Sequence, residues 1–385
     1  MTIDITSLDA HEQPSEYLRS KWKMYAKSTV AAIEASKDID EIPAGDEGAQ
    51  GGRPSFRPVS TLPATRIKAA FAAFLADKSP VDGDLEDEEE EDGKNGESNA
   101  DYPVYAHPLL PGLLIVPKLV PLRVQKRLLD RMVHRDLADQ RHQTNMHLHY
   151  ELPYPADGAS FFTYSPPANA HSIDVLQGPG TFPPKDPSVH RPLSIQQVLD
   201  KRLHWVTLGG QYDWTNRVYP EKAGGDDLEQ VPSFPPDLIE LLAGLFPETD
   251  AQAAIVNFYT PGDTMMIHRD VSEETDKGLI SLSMGCDALF MAAPTAEFEE
   301  GKRGPAEQGT DKEPYVLIRI RSGDAVYMSG HARFAWHGVP KVLKGTCPDE
   351  LAAWPAGEHA DERYEAWRGW MRNKRVNLNV RQMRD

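Results

Sequence analysis

Several features that would point to particular protein classes are scarce or missing in this sequence of 385 residues. It contains two cysteines, Cys286 and Cys347. That number allows one disulfide, is typical of a reducing compartment, and leaves no cysteine-based zinc site. No apolar run approaches the roughly 20 residues that a membrane-spanning helix needs. We therefore expect no membrane attachment.

The start of the chain also lacks the marks of a targeting segment. The first residues, MTIDITSLDAHEQPSEYL, carry acidic side chains and contain no apolar core of the kind found in secretory signals. They are not rich in arginine, as a mitochondrial transit peptide would be. We therefore expect the protein in the nucleus, the cytoplasm or both, and regard a mitochondrial location as less favoured.

A surplus of positive charge is absent as well. The chain has 41 basic and 59 acidic side chains, which gives a net charge of −18. Residues 1–100 hold 11 of the basic and 21 of the acidic side chains. A field of this sign argues against a broad, unspecific binder of nucleic acid, although it leaves a local basic face open.

Residues 1–100 have the composition of an appendage. Two stretches with helical spacing, SEYLRSKWKMYAKSTVAAIEAS and PATRIKAAFAAFLADK, flank a segment rich in glycine, proline and charge. The tract that follows, about 80–100, is strongly acidic, so its charges repel and little can be buried. We predict a helical N-terminal extension that ends in a disordered, solvated linker. Docking of a protein partner through this extension is the alternative.

From residue 101 onward the pattern becomes that of a folded domain. Helical spacing comes first, in PLRVQKRLLDRMVHRDL and PPDLIELLAGLFPE. After about residue 250, short apolar strands are separated by turn signals such as PGD and SGD. This order predicts one α+β domain over 101–385. Its core, at about 250–385, would be a double-stranded β-helix (jelly roll) with helices packed on one face.

The segment NFYTPGDTMMIHRD, residues 257–270, contains two ligand-type side chains one residue apart. On a strand, side chains at i and i+2 share a face, so His268 and Asp270 would project together, as would Asn257 and Tyr259. A third candidate ligand is His337, in FAWHGVPKV. Two histidines and a carboxylate can cover one triangular face of an octahedron, as in non-haem Fe(II) oxygenases. The pattern therefore predicts an iron site with open positions.

The segment RVNLNVRQ places two arginines on one strand face. Arg375 and Arg381 are six residues apart, with Asn377 and Asn379 between them on the same face. A keto acid that chelates iron leaves a distal carboxylate that needs a cation, and the planar guanidinium group suits that task. Burial of such a strand is costly unless anions pair with it. An ordinary surface strand is the competing interpretation.

Three separated segments together resemble the AlkB family of Fe(II)- and 2-oxoglutarate-dependent dioxygenases in order, spacing and residue types. They are NFYTPGDTMMIHRD, SGHARFAWHGVPKV and RVNLNVRQ. A further segment, LHWVTLGGQYDWTNRVYP, makes the chain most similar to the eukaryotic AlkB homolog 1 branch. The resemblance covers roughly residues 101–385 and says little about the extension.

The resemblance implies the cofactors Fe(II) and 2-oxoglutarate, with O2 as co-substrate, and a set of functional residues. The expected iron ligands and catalytic residues are His268, Asp270 and His337. The expected 2-oxoglutarate contacts are Asn257, Tyr259, Arg375, Asn377 and Arg381, with the two arginines at its two carboxylate ends and Arg375 at the distal one. The expected substrate-side residues are Trp205, Tyr212 and Arg333, the last near the iron-bound carboxylate.

The implied reaction is oxidative demethylation of N-methylated bases in RNA or DNA, with release of succinate, CO2 and formaldehyde. The acidic balance does not suit a DNA repair enzyme, so methylated RNA, notably tRNA, is expected first, and N6-methyladenine or other alkylated DNA bases next. A base must leave its stack to be oxidised, so aromatic side chains are expected at the mouth: Trp205, Tyr212 and Trp214.

Two other functions stay open. The same scaffold could serve a protein demethylase or hydroxylase acting on a histone, or a non-catalytic nucleic-acid-binding module. The long insertion at 341–374 departs from the family pattern. It is expected to form a loop and a helix, and the sequence does not indicate its effect on the substrate mouth.

Overall fold

A computed structural model describes residues 5, 8–40, 42, 56–79, 100–166, 179–213, 219, 232–295, 313–357 and 362–385. Trp214 and residues 80–99 of the predicted acidic linker lie outside these ranges. Within them, no helix combines the length and the apolar character needed to cross a membrane.

Antiparallel strands form two main sheets in the described part of the chain. The larger sheet has the order β1-β2-β3-β12-β9-β14-β7-β6, and the smaller one has the order β11-β10-β13-β8. The strands are β1 (Arg57–Leu62), β2 (Tyr102–His107), β3 (Leu110–Val116), β4 (Thr181–Phe182), β5 (Leu193–Ser194), β6 (Trp205–Gly209), β7 (Ala253–Tyr259), β8 (Met265–His268), β9 (Leu279–Gly285), β10 (Ala288–Ala293), β11 (Val316–Ile320), β12 (Ala325–Met328), β13 (Trp336–Val342) and β14 (Arg375–Arg381).

The two sheets belong to one jelly roll, as the strand pattern predicted. Buried apolar side chains of both, among them Ile115, Val326 and Ile318, form a common cluster. Eight strands, β7 to β14, come from the predicted core. Strands β1, β2, β3 and β6 extend the larger sheet with residues from 57 to 209.

Helices cover the outer face of the larger sheet. They pack against the alternate residues of its strands that point away from the smaller sheet, such as Val256, Phe258 and Leu378. The α-helices are α1 (Glu16–Lys27), α2 (Val30–Glu34), α3 (Ala64–Ala76), α4 (Leu122–Leu129), α5 (Ile195–Gln197), α6 (Pro236–Leu245) and α7 (Asp349–Ala352). Short π-helical and 3-10 segments include Asp130–Asp136, Asn145–Leu148, Val198–Arg202, Gly330–Ala332, Glu362–Trp367 and Trp370–Asn373.

The described N-terminal residues are part of the same fold. Strand β1 pairs with β2 at the edge of the larger sheet. Helix α1 lies on the outer face of the smaller sheet, where Trp22 and Tyr25 share a buried cluster with Ile267 and Trp336. The Trp22 indole Nε1 donates a hydrogen bond to the carbonyl of Met265 at 2.9 Å. The described N-terminal residues therefore pack on the domain, and helices lie on the outer faces of both sheets.

The insertion at 341–374 packs on the helical side of the larger sheet. The Trp354 indole donates to Asp130 Oδ1 at 2.9 Å, and the Trp370 indole donates to the carbonyl of Leu199 at 3.1 Å. Both tryptophans belong to the cluster that contains Val256 and Leu378. The two tryptophans of the insertion therefore pack against the outer face of the larger sheet, opposite the face that carries Asn257 and Asn377.

Candidate active site

Alternation along two neighbouring strands places a polar patch on the inner face of the larger sheet. In β7, Asn257 and Tyr259 point inward, because Val256 and Phe258 face the helices. The register pairs Asn257 with Asn377, and Tyr259 with Arg375, across β7 and β14. All four side chains line a pocket that also contains His268 and His337. The predicted 2-oxoglutarate segment and the predicted iron ligands therefore meet in one cavity.

The three predicted iron ligands converge at the smaller sheet. His337 of β13 stands directly opposite His268 of β8 in the antiparallel register. One ligand atom each from His268, Asp270 and His337 lies within 4.8 Å of the others. Nε2 of His268 is 3.5 Å from Asp270 Oδ1, and Nε2 of His337 is 3.8 Å from Asp270 Oδ2. This donor set, two imidazoles and one carboxylate, fits a single divalent cation with open coordination positions.

A hydrogen bond to the carbonyl two residues earlier in the chain orients each of the two imidazoles. Nδ1 of His268 lies 2.8 Å from the carbonyl of Met266, and Nδ1 of His337 lies 3.1 Å from the carbonyl of Ala335. A carbonyl only accepts, so each Nδ1 carries the proton and each Nε2 presents its lone pair to the site. Burial, followed by the proximity of His268, lowers the pKa of His337 to about 4. His337 is therefore neutral at physiological pH, as a metal ligand must be.

Two arginines and a second carboxylate surround Asp270. Arg381 Nη2 donates to Asp270 Oδ2 at 3.2 Å, and Arg333 Nη1 donates to the Asp270 backbone carbonyl at 2.7 Å. Glu273 accepts from both arginines, at 2.9 Å from Arg333 Nη2 and 3.1 Å from Arg381 Nη1. Burial alone would raise the pKa of Asp270, but Arg381 and His268 hold it well below its usual value. The carboxylate is therefore ionised and can bind a cation.

Arg375 offers buried donors to an acidic ligand. Its Nη2 donates to Ser283 Oγ at 2.9 Å, and its guanidinium carbon lies 5.2 Å from the centre of the Tyr259 ring. Within the described residues, its Nε and Nη1 have no hydrogen-bond partner. Buried N–H groups without a partner are costly, and a carboxylate matches the guanidinium edge. The pocket therefore fits a dicarboxylic acid such as 2-oxoglutarate, with one end at Arg375.

Arg381 differs from Arg375 because protein carboxylates already hold it. It forms ion pairs with both Asp270 and Glu273, and only its Nε is buried without a hydrogen-bond partner in the described residues. Its predicted contact with the second carboxylate end of 2-oxoglutarate stays a prediction. The structure places it beside the candidate metal ligand.

Two of the predicted substrate-side residues lie near the pocket. Trp205 is the first residue of β6 and pairs with Asn257, so the two side chains share the inner face of the sheet. The Tyr212 hydroxyl is 3.2 Å from Ser272 Oγ, in the loop that follows Asp270. Both residues are partly exposed. Their contacts with a substrate remain predictions.

Arg333, the third predicted substrate-side residue, lies buried beside Asp270. Its side chain is 0% exposed and forms an ion pair with Glu273 at 2.9 Å. It also donates to the backbone carbonyls of Asp270 and Lys277. Arg333 is near Asp270, as the resemblance implied, and its contact with a substrate stays a prediction. Glu273 carries no distinguishing signal in the sequence, where it is one of several acidic residues in HRDVSEETD.

Comparison with known proteins agrees with this geometry. The profile of the 2OG-Fe(II) oxygenase superfamily matches residues 159–381. The N6-methyladenosine RNA demethylase ALKB1 of Pyricularia oryzae is 53% identical over 398 aligned positions, covering 100% of both chains. The N6-methyladenosine RNA demethylase ALKBH of Cryphonectria parasitica is 61% identical over 246 positions, covering 62% of this chain and 100% of the relative.

A third relative is more distant. The tRNA demethylase abh1 of Schizosaccharomyces pombe is 35% identical over 288 positions, covering 73% of this chain and 82% of the relative. The superfamily match includes all three candidate ligands and both arginines of β14. These similarities confirm the resemblance found in the motifs. The chain belongs to the AlkB family of the 2OG-Fe(II) oxygenase superfamily, in its AlkB homolog 1 branch.

Proposed function

We propose that this enzyme oxidatively demethylates N-methylated bases in RNA, with Fe(II) bound by His268, Asp270 and His337 and 2-oxoglutarate held at Arg375. One observation carries the proposal. The three ligand atoms converge, and two of the ligands, His268 and His337, line the same pocket as Arg375, whose buried Nε and Nη1 have no partner among the described residues. These residues therefore provide adjacent sites for a divalent cation and a dicarboxylate.

The residues of the chain would bind and orient the reactants. When bound, Fe(II), 2-oxoglutarate and O2 supply the oxidation of an N-methyl C–H bond, with release of succinate, CO2 and finally formaldehyde. His268 and His337 would bind iron through Nε2, and Asp270 would bind it as a carboxylate. Arg375 would fix the far end of 2-oxoglutarate, so that the keto acid enters the pocket in one orientation.

The aromatic side chain beside the pocket favours a nucleobase over a peptide. Trp205 shares the inner face with Asn257, which lines the cavity. A base that has left its stack is stabilised by stacking on such a ring, typically by about 1–3 kcal/mol. Trp205, with Tyr212 near the loop after Asp270, would supply that surface. No corresponding feature on the described residues specifically favours the histone alternative.

RNA is the preferred nucleic acid for two reasons. Two relatives with high identity, one of them aligned over the whole chain, are named N6-methyladenosine RNA demethylases. The net charge of −18 does not favour unspecific binding to duplex DNA. We therefore infer N6-methyladenosine in RNA as the first substrate and methylated tRNA as the second, in line with the third relative.

Turnover with defined substrates tests this proposal. The purified chain, supplied with Fe(II), 2-oxoglutarate and ascorbate, is incubated with an N6-methyladenosine RNA oligonucleotide, methylated tRNA or N6-methyladenine duplex DNA. Mass spectrometry of the nucleosides should show loss of the methyl group from RNA, with formaldehyde and succinate formed in equal amounts. His268→Ala should abolish the reaction.

Met266→Ala is the matched control. Its side chain is 51% exposed on the same strand, and the substitution keeps the backbone carbonyl that orients His268. It should retain turnover. An iron-loaded wild-type chain that leaves all three substrates unchanged would overturn the proposal, as would full activity of His268→Ala.

A further inference from the structure

We propose that Glu273 is a positioning residue that neutralises Arg333 and Arg381 and so keeps the Asp270 carboxylate available to the metal. The inference rests on the proposed function, because it requires a cation at Asp270 and the two histidines. Nothing in the sequence or in the family resemblance assigned Glu273 a role. Its contacts in the structure do.

Glu273 is the centre of a closed ionic network. Its side chain is 0% exposed, and each of its carboxylate oxygens accepts a hydrogen bond from a different arginine. Each arginine also reaches Asp270. Arg381 Nη2 contacts Asp270 Oδ2 at 3.2 Å, and Arg333 Nη1 contacts the Asp270 carbonyl at 2.7 Å. The same two cations therefore connect the two carboxylates.

The charges in this network determine what Asp270 can do. Two guanidinium groups and two carboxylates balance when no cation is bound. Without the Glu273 charge, Arg381 would be free to turn both of its terminal nitrogens onto Asp270, since bidentate pairing is its preferred geometry. The surplus positive charge would also repel a divalent cation at short range in a buried site. Loss of the Glu273 charge should therefore weaken metal binding.

Another buried carboxylate provides a matched control for the stability of the fold. Asp237, at the start of α6, also lies between two arginines, with Arg131 Nη1 and Arg135 Nη1 each at 2.8 Å from its Oδ2. It belongs to the helical layer behind the larger sheet and not to the pocket. Removal of either carboxylate charge disrupts a buried ion pair, which generally destabilises a fold. Only Glu273 should affect the metal.

The effect of Glu273 on metal affinity can be measured without turnover. The full chain is titrated with Mn(II), and the free ion is quantified by electron paramagnetic resonance. We expect Glu273→Gln to weaken Mn(II) binding roughly 10–100-fold, the usual effect of losing an outer partner of a metal ligand. Asp237→Asn should bind Mn(II) as the wild type does. Both variants should lose thermal stability.

A double variant tests the charge argument directly. Glu273→Gln/Arg333→Gln removes one cation along with the carboxylate and restores the balance, while the amide nitrogen at position 333 can take the place of Arg333 Nε, which donates to the Lys277 carbonyl. Mn(II) affinity should recover towards the wild-type value. This variant also carries the test if Glu273→Gln does not fold. If neither variant folds, Glu273 is a residue of the fold alone and the positioning role is rejected.

The remaining outcomes separate this inference from the proposed function. Wild-type Mn(II) affinity in Glu273→Gln would overturn the role of Glu273, as would equal weakening in Asp237→Asn. His337→Ala serves as the reference for the metal site itself. If His337→Ala binds Mn(II) as tightly as the wild type, the proposed metal centre fails. If His337→Ala is the only variant that loses affinity for Mn(II), the metal centre is supported and the role of Glu273 is rejected.

Discussion

At the scale of single residues, strand periodicity predicted the parts of the site that depend on local geometry. His268 and His337 are each oriented by a carbonyl two residues earlier in the chain. The spacing of Arg375 and Asn377 placed both on the inner face. Glu273 could not be predicted in this way. Its two arginine partners lie 60 and 108 positions further along the chain, and only the fold brings them together.

Arg375→Lys should weaken 2-oxoglutarate binding by about 10–100-fold, the range expected for hydrogen bonds to a charged group. Lysine keeps the charge but loses the planar pair of donors that a carboxylate occupies. Calorimetric titration of the Mn(II)-loaded chain with 2-oxoglutarate measures the change. Arg372→Lys is the control, because Arg372 is exposed three positions earlier and should not matter. Unchanged affinity in Arg375→Lys would place the distal carboxylate elsewhere.

At the scale of elements, the sequence located the strands better than it located the helix ends. The core of the sheets was visible as short apolar runs between turn signals. The stretch 15–36, in contrast, was predicted as one helix and forms two. Helix α1 ends before Ser28, and the Thr29 hydroxyl caps α2 by accepting from the backbone N–H of Ala32 at 3.2 Å. Serine and threonine favour such caps, and a match to helical spacing alone overlooks them.

Gly338→Ala should disturb the approach of the two strands that carry the histidines. A Cβ atom at Gly338 would lie 2.9 Å from the carbonyl oxygen of Met265 and 3.0 Å from backbone atoms of Ile267, all in β8. Since backbone cannot move aside cheaply, β8 would shift and carry His268 with it. We expect weaker Mn(II) binding and a loss of about 1–3 kcal/mol in unfolding free energy, as for other overpacked sites.

Gly357→Ala is the control for this substitution. A Cβ atom there would meet nothing within 4 Å, so stability and Mn(II) affinity should both stay close to the wild type. Urea denaturation and the Mn(II) titration described above measure the two quantities. If Gly338→Ala binds Mn(II) normally, the spacing of β8 and β13 does not control the metal site.

At the scale of the whole molecule, composition did not predict where the N-terminal residues pack. An acidic tract between residue 79 and the domain suggested a separate appendage. An amphipathic helix shows that it needs an apolar partner, but its sequence does not say which one. The structure supplies the answer for residues 8–40. Helix α1 covers the smaller sheet, and the N–H of Asp40 donates to the carbonyl of Leu317 on the edge strand β11.

Trp22→Ala should lower the free energy of unfolding by about 3–5 kcal/mol, as for other large buried aromatic residues. Trp22 is buried against the smaller sheet, and its indole hydrogen bond to Met265 would also be lost. Urea denaturation measures the difference. Met24→Ala, on the exposed side of the same helix, should change little. Equal stability of the Trp22 variant and the wild type would show that α1 adds nothing to the fold.

Helix α1 also has a practical consequence for how the protein can be shortened. Besides Trp22, it is attached to the smaller sheet by the Lys341 ammonium, which donates to the carbonyl of Ala26 at 3.0 Å. A recombinant fragment that starts at residue 101 would expose the side chains of Ile267, Leu289, Met291 and Trp336 as one continuous apolar patch. Such a fragment would self-associate through this patch. A recombinant form of the catalytic region therefore needs residues 1–40.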